Sequence, residues 1–161
     1  MPKHLLYFKD DGDIPNHPRW PLLLYPRALD AETLARSEAA FDELFAKTGL
    51  FGFGPASTRS SHDHANAHEV LGVAQAHATV QFGGEAGQAA GAQAGDAVLL
   101  PVGTGHQLIS GSADLLVVGA YPPGLDRDLM RVGEGDTKAS VRALRRSLSR
   151  APIRSEAAMA Q

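Results

Sequence analysis

From Ser57 onward the chain is made of short apolar stretches cut apart by glycine-rich breaks, and this rhythm constrains the fold more than any other feature. The stretches are Glu69–Phe82, Ala97–Pro101, Gln107–Ser110 and Leu115–Tyr121. Residues 83–96, GGEAGQAAGAQAGD, form a glycine- and alanine-rich insert with turns at both ends. Several short strands separated by turn signals predict a β-sandwich or barrel. At 161 residues the chain fits one domain, and its 43% hydrophobic and 20% charged residues allow one packed core. No solenoid-type repeat is present.

The flanks read differently. Residues 1–30 hold Pro2, Pro15, Pro18, Pro21 and Pro26, half of the ten prolines. Proline fixes φ and has no N–H to donate, so this region is expected to be an extended arm with turns. Its WPLLLY stretch, Trp20 to Tyr25, is too apolar for water and is expected to pack on the domain or on a second subunit. Residues 31–48 predict a helix capped by Asp30, with Glu32 in its first turn, Leu34, Phe41, Leu44 and Phe45 at helical spacing, and Gly49 as the stop. Residues 137–149 predict a final helix striped by Val141, Leu144 and Leu148. The barrel core is expected over 57–123. Lys138, Arg142, Arg145 and Arg146 make the last helix basic, which reads as a solvated face because no nucleic-acid motif accompanies it.

Within that core, SSHDHANAHEVLG concentrates three of the seven histidines and a glutamate. If Thr58 to His64 is a strand, His62 and His64 share one face. Two neighbouring imidazoles on one face can converge on one ion. A short turn then leads to a strand beginning near Glu69, whose carboxylate can reach the same point. A further histidine comes later, in GDAVLLPVGTGH. Gly95 opens a turn, Pro101 and Gly103 turn the chain back, and His106 begins another strand that a barrel can bring alongside. His68 stands beside Glu69 as the alternative ligand at that position.

These residues resemble the two motifs of the cupin superfamily. The second, Gly-(x)5-Pro-x-Gly-(x)2-His-(x)3-Asn, matches Gly95, Pro101, Gly103 and His106, with Ser110 in place of Asn. The first, Gly-(x)5-His-x-His-(x)3 or 4-Glu-(x)6-Gly, matches His62, His64 and Glu69. Its glycines are replaced by Ala56 and Ala76, departures that touch turns and leave the ligand positions alone. HANAHEVLGV, PVGTGH, SADLLVVGAYPPG and DGDIPNHP are similar to the small bacterial cupins of the YjlB type, over about residues 10–135. The resemblance implies a double-stranded β-helix, the cupin jelly-roll barrel, with a metal inside; the N-terminal and C-terminal helices read above would flank it.

The ligand set His62, His64, Glu69 and His106 suits one divalent transition metal, Fe, Mn, Ni, Zn or Cu. A six-coordinate ion would keep two positions for a small-molecule ligand. The leading expectation is a metal-dependent enzyme, dioxygenase-like, with isomerisation or decarboxylation next and Glu69 carrying protons. The alternative is a non-catalytic binding or sensor module. Strand parity directs Leu71, Val73, Leu108 and Ser110 into the pocket, with no cation among them, which disfavours phosphorylated substrates.

Other classes are set aside. Without cysteine there is no disulfide or thiolate site. A net charge of −3 does not draw the chain to nucleic acid or anionic membranes. No apolar run approaches a membrane span, and the N-terminus lacks a signal core, so a cytoplasmic protein is expected. Gly103 and Gly105 precede no helix, so they make no nucleotide loop. Ser60 and Ser61 have no triad partners. His4, His17 and His77 are expected to be exposed or structural. A homodimer is expected, with the apolar arm at its interface.

Overall fold

The computed structural model describes residues 4–36, 39–55, 62–63, 67–123 and 130–131, with backbone alone for 36, 51–55, 62–63 and 130–131. The helix expected over 137–149 lies outside these, as do Ala56, Ser60, Ser61 and His64. Two antiparallel sheets form the body. One contains β1 (His4–Leu6), β2 (Leu22–Tyr25), β3 (Phe51–Pro55), β5 (Glu69–Gln75), β8 (Ala97–Leu100) and β10 (Leu116–Tyr121), in the order β1-β2-β8-β5-β10-β3. The other contains β4 (His62–Asp63), β6 (His77–Phe82), β7 (Gln88–Gln93), β9 (His106–Gly111) and β11 (Met130–Arg131), in the order β11-β4-β9-β6-β7. The strand rhythm predicts such a pair of sheets, and their arrangement is the jelly roll that the resemblance implies.

The central strands are apolar on both faces because they serve two cores, as strict alternation of side chains requires. On β5, Val70 faces one core and Leu71 the other. On β8, Ala97 and Leu99 face the first core, and Val98 and Leu100 face the second. The second core lies between the sheets, where Leu71 and Val98 meet Phe82 of β6. The first lies outside, under the helical segment.

The expected helix over 31–48 is two helices, α1 (Ala31–Arg36) and α2 (Ala40–Lys47). Asp30 caps α1, its Oδ1 accepting from the Thr33 amide at 2.7 Å. Ala39, at φ −95° and ψ 12°, stands outside α2 as its N-cap. Gly49 ends the segment at φ 80°. Phe41 and Phe45 of α2 are fully buried against the sheet. Burial of each such side chain stabilises the docking by about 1.5–3 kcal/mol. The contact needs a bare backbone, because a Cβ on Gly72 would lie 2.3 Å from the Phe41 ring.

The N-terminal arm is part of the barrel. Leu22–Tyr25 forms β2, which pairs with β8, so WPLLLY packs on its own domain. The 83–96 insert contains β7, paired with β6 over six residue pairs. The Glu69–Phe82 stretch breaks at Ala76, which takes φ 64° and sends β5 and β6 into different sheets. Among the described residues no helix is long and apolar enough to cross a membrane.

Candidate metal centre

Three buried polar side chains meet at one end of the space between the sheets. Glu69 opens β5 and Tyr121 closes β10, and the antiparallel register sets them side by side, since Ala120 pairs with Val70. The Tyr121 hydroxyl donates to Oε1 of Glu69. The other carboxylate oxygen, Oε2, lies 3.4 Å from Nε2 of His106. Glu69, His106 and Tyr121 are all buried, and all line one cavity of about 260 Å³.

His106 is delivered by a tightly built loop. The Thr104 amide donates to the Pro101 carbonyl at 3.0 Å, and Gly103 takes φ 80°, which only glycine adopts without strain. Behind it, the fully buried Asn16 bridges three backbone segments. Its Nδ2 donates to the Lys9 and Gly83 carbonyls at 2.8 and 3.0 Å, and its Oδ1 accepts from the Gly105 amide at 3.3 Å. The Gly83 amide donates to the Gly105 carbonyl at 2.8 Å. The DGDIPNHP segment of the arm therefore buttresses the residue next to His106. Asn16 was not among the sequence candidates. Its one sequence signal is its place between Pro15 and Pro18 in DGDIPNHP; the fold adds a left-handed backbone, φ 46°, which asparagine tolerates.

His106 opens β9, which pairs with β6 on one side and β4 on the other. Across those pairs it stands opposite Phe82 and opposite His62. Directly paired Cα atoms lie about 4.5–5.5 Å apart. The side chain of His62 and the whole of His64 lie outside the described residues. Among the described residues no three His, Asp or Glu side chains converge on one point.

His68 faces elsewhere. Its Nδ1 accepts from the Val102 amide at 3.0 Å, and its ring packs against Trp20 with centroids 5.2 Å apart. Trp20 in turn stacks on His17 at 4.4 Å with the rings parallel to 1°. Nδ1 of His17 accepts from the Trp20 amide at 2.8 Å. Burial pushes both imidazoles down to about 4, helped by Arg19 at His17 and by His17 at His68. Of the two candidates at that position, Glu69 lines the cavity and His68 braces the loop from behind.

Leu71, Val73 and Leu108 line the cavity as strand parity predicts, but Ser110 does not. Leu108 pairs with Val80 and Ser110 with Thr79, so Ile109 is an extra residue that shifts the register. Such a bulge reverses the facing of the residues after it, and Ser110 is exposed. His17 is buried and structural. His77 is exposed, with Nδ1 2.8 Å from the Ser112 hydroxyl. His4 is exposed at the cavity rim.

No family model matches the chain. It is 37% identical over 142 residues to YjlB of Bacillus subtilis (strain 168), a match spanning 88% of this chain and 82% of that protein. The chain belongs to the YjlB family. Two solved structures overlap it more loosely. One is of oxalate decarboxylase, with 16% identity and a TM-score of 0.40, covering 76% of this chain and 32% of that one. The other is RmlC from Streptococcus suis in complex with dTDP-D-xylose, with 19% identity and a TM-score of 0.32, covering 75% and 70%. At those scores the overlaps bear on neither fold nor activity.

The resemblance of the two motifs to those of cupins implies a metal, and the side chains at the cavity end fit one. Ligand atoms about 2.0–2.2 Å from a common ion stand roughly 2.8–3.6 Å from each other at octahedral to tetrahedral angles, the upper end being the tetrahedral one. The 3.4 Å between Glu69 Oε2 and His106 Nε2 falls in that range. An imidazole nitrogen and a carboxylate oxygen are also the donor types that divalent transition metals accept.

Proposed function

We propose that this YjlB-family cupin holds one divalent transition-metal ion through His62, His64, Glu69 and His106, and acts on a small organic molecule in the cavity. The observation that carries the reading is the Glu69–His106 pair, buried at a cavity end at the separation two ligands of one ion require. The register of His62 opposite His106 supports it, because directly opposed residues of antiparallel strands share a face. His64 shares parity with His62 on the sequence.

A bound ion would supply a Lewis-acid centre for polarising substrate oxygen atoms. The chain's own groups do the rest. Tyr121 donates to Oε1 and fixes the plane of the carboxylate, so that Oε2 keeps its place beside His106. If it leaves the ion, Glu69 is the group positioned to take a proton from a substrate and return it. The cavity walls beyond that group are apolar, with Leu71, Val98, Val80 and Leu108. Oxygenation is the leading reaction, with isomerisation or decarboxylation next.

Oxygen uptake by the iron-loaded protein, measured with a panel of catechols, thiols and diketones, tests the reaction. Consumption that depends on one substrate class supports the oxygenase. A small molecule recovered unchanged, with no oxygen consumed, makes the protein a binding or sensor module instead. The proposal includes a homodimer through the edge at β1, where Leu5 and Tyr7 are 54% and 66% exposed. A monomer mass by light scattering would remove that part.

A further inference from the structure

The cavity is polar at one end, carries His4 at its rim and Asp96 at its far end, and is otherwise apolar along its length. In register terms it is a stack of layers. Glu69, Tyr121 and His106 form the first, with Phe82 opposite His106. Two residues further along the strands come Leu71, paired with Val98, and Leu108, paired with Val80. Two more bring Val73, paired with Val117, and Ala78, paired with Ala92. Four residues of strand from Glu69 to Val73 span roughly 13 Å. The far end also has Asp96, but its carboxylate is occupied by the amides of Arg27 and Gln93, at 2.9 and 3.0 Å.

We propose that the ligand is an amphiphile: one chelating, oxygen-bearing head at Glu69 and His106, and an apolar carbon body lying along the two aliphatic layers. A water-soluble ligand bearing hydroxyls along its length, such as a sugar, would leave those groups without partners against Leu71, Val80, Val73 and Val117. Each such buried hydroxyl costs free energy. An alkyl or aryl body removes apolar surface from water on both sides instead. The inference rests on the proposed reading for where the head sits, but the length and polarity of the body come from the layers alone.

The test is a calorimetric titration of the straight-chain hydroxamic acids, from acetohydroxamic to octanohydroxamic acid, into metal-free and metal-loaded protein. The head is constant across the series, so chain length is the only variable. Affinity is expected to rise roughly fourfold per added methylene, the transfer value for a buried CH2. It should level off once the chain passes the Val73–Val117 layer. Val117→Phe fills that layer and should bring the plateau to a shorter chain, with metal content unchanged. If that variant fails to fold, the series on the unaltered protein still decides the matter. Affinity that ignores chain length, or falls with it, in both forms of the protein overturns the inference while leaving the metal site standing. A chain-length dependence in protein that takes up no metal supports the inference and removes the metal.

Discussion

The phenol of Tyr121 donates to one oxygen of the Glu69 carboxylate inside the barrel, while the other oxygen faces His106. A group that orients a metal-binding carboxylate without touching the ion typically contributes 10–100-fold to affinity. Tyr121→Phe keeps the ring and removes the donor. It should weaken metal binding about tenfold or more in a chelator competition, with the melting temperature of the metal-free protein little changed. Unaltered affinity would remove Tyr121 from the site's support.

Asn16 is the corresponding support for His106. Asn16→Ala strands the buried Gly105 amide and the Gly83 carbonyl. An unsatisfied buried group costs about 1–3 kcal/mol, so urea unfolding should show a loss of at least ~2 kcal/mol. Asn16→Asp restores only the acceptor for Gly105 and sets a carboxylate against two carbonyls, so it should not rescue. A loss under ~0.5 kcal/mol, within the range of ordinary surface substitutions, would mean the arm does not hold the loop.

Ala76 stands where the first cupin motif has its closing glycine, and it keeps the glycine's backbone, φ 64°. A left-handed residue with a Cβ costs about 1–2 kcal/mol, and glycine's extra freedom when unfolded returns ~0.5–1 of that. Ala76→Gly is therefore expected to stabilise the protein by about 1 kcal/mol. A neutral or destabilising result in the same urea measurement would show that the local fold has adapted to alanine.

His17 should make the protein acid-sensitive. Its pKa is pushed from 6.5 to about 4 in the folded chain, first by burial and then by Arg19. Above about 6.5 both states are neutral and the full stability is present. Between about 6.5 and 4 the unfolded chain takes the proton and the folded one resists it, so stability falls as pH falls. His17→Asn keeps an acceptor for the Trp20 amide but does not titrate. Its stability should decline less steeply over that window, the remainder coming from His68, which is lowered likewise. Identical slopes would remove His17 as a cause.

Much of this is legible in the residues and some of it is not. A sandwich or barrel follows from short strands between glycine turns, and the jelly roll from the resemblance of the two motifs. Glu69 and His106 follow from their spacing, because turns at fixed offsets bring strand starts to one barrel end. β7 is harder to see, since Gln88–Gln93 is built of alanine, glycine and glutamine, which have little strand propensity alone. Pairing with β6 is what holds it extended. The proline-rich arm hides two strands, β1 and β2, whose only signal is apolar content. Ser110 is misplaced by parity because a bulge at Ile109 is a tertiary event. Tyr121 lies in SADLLVVGAYPPG but outside the two metal motifs, and only the β5–β10 register brings it to Glu69.

Whether Glu69 and His106 hold an ion together with His62 and His64 is decided by elemental analysis, on protein purified without a nickel column and then offered Fe, Mn, Ni, Zn and Cu in turn. About one ion per chain is expected for at least one metal, with much lower occupancy in Glu69→Gln and His106→Ala at equal protein concentration. No uptake of any metal by the unaltered protein, or full occupancy in both variants, would contradict the proposed centre.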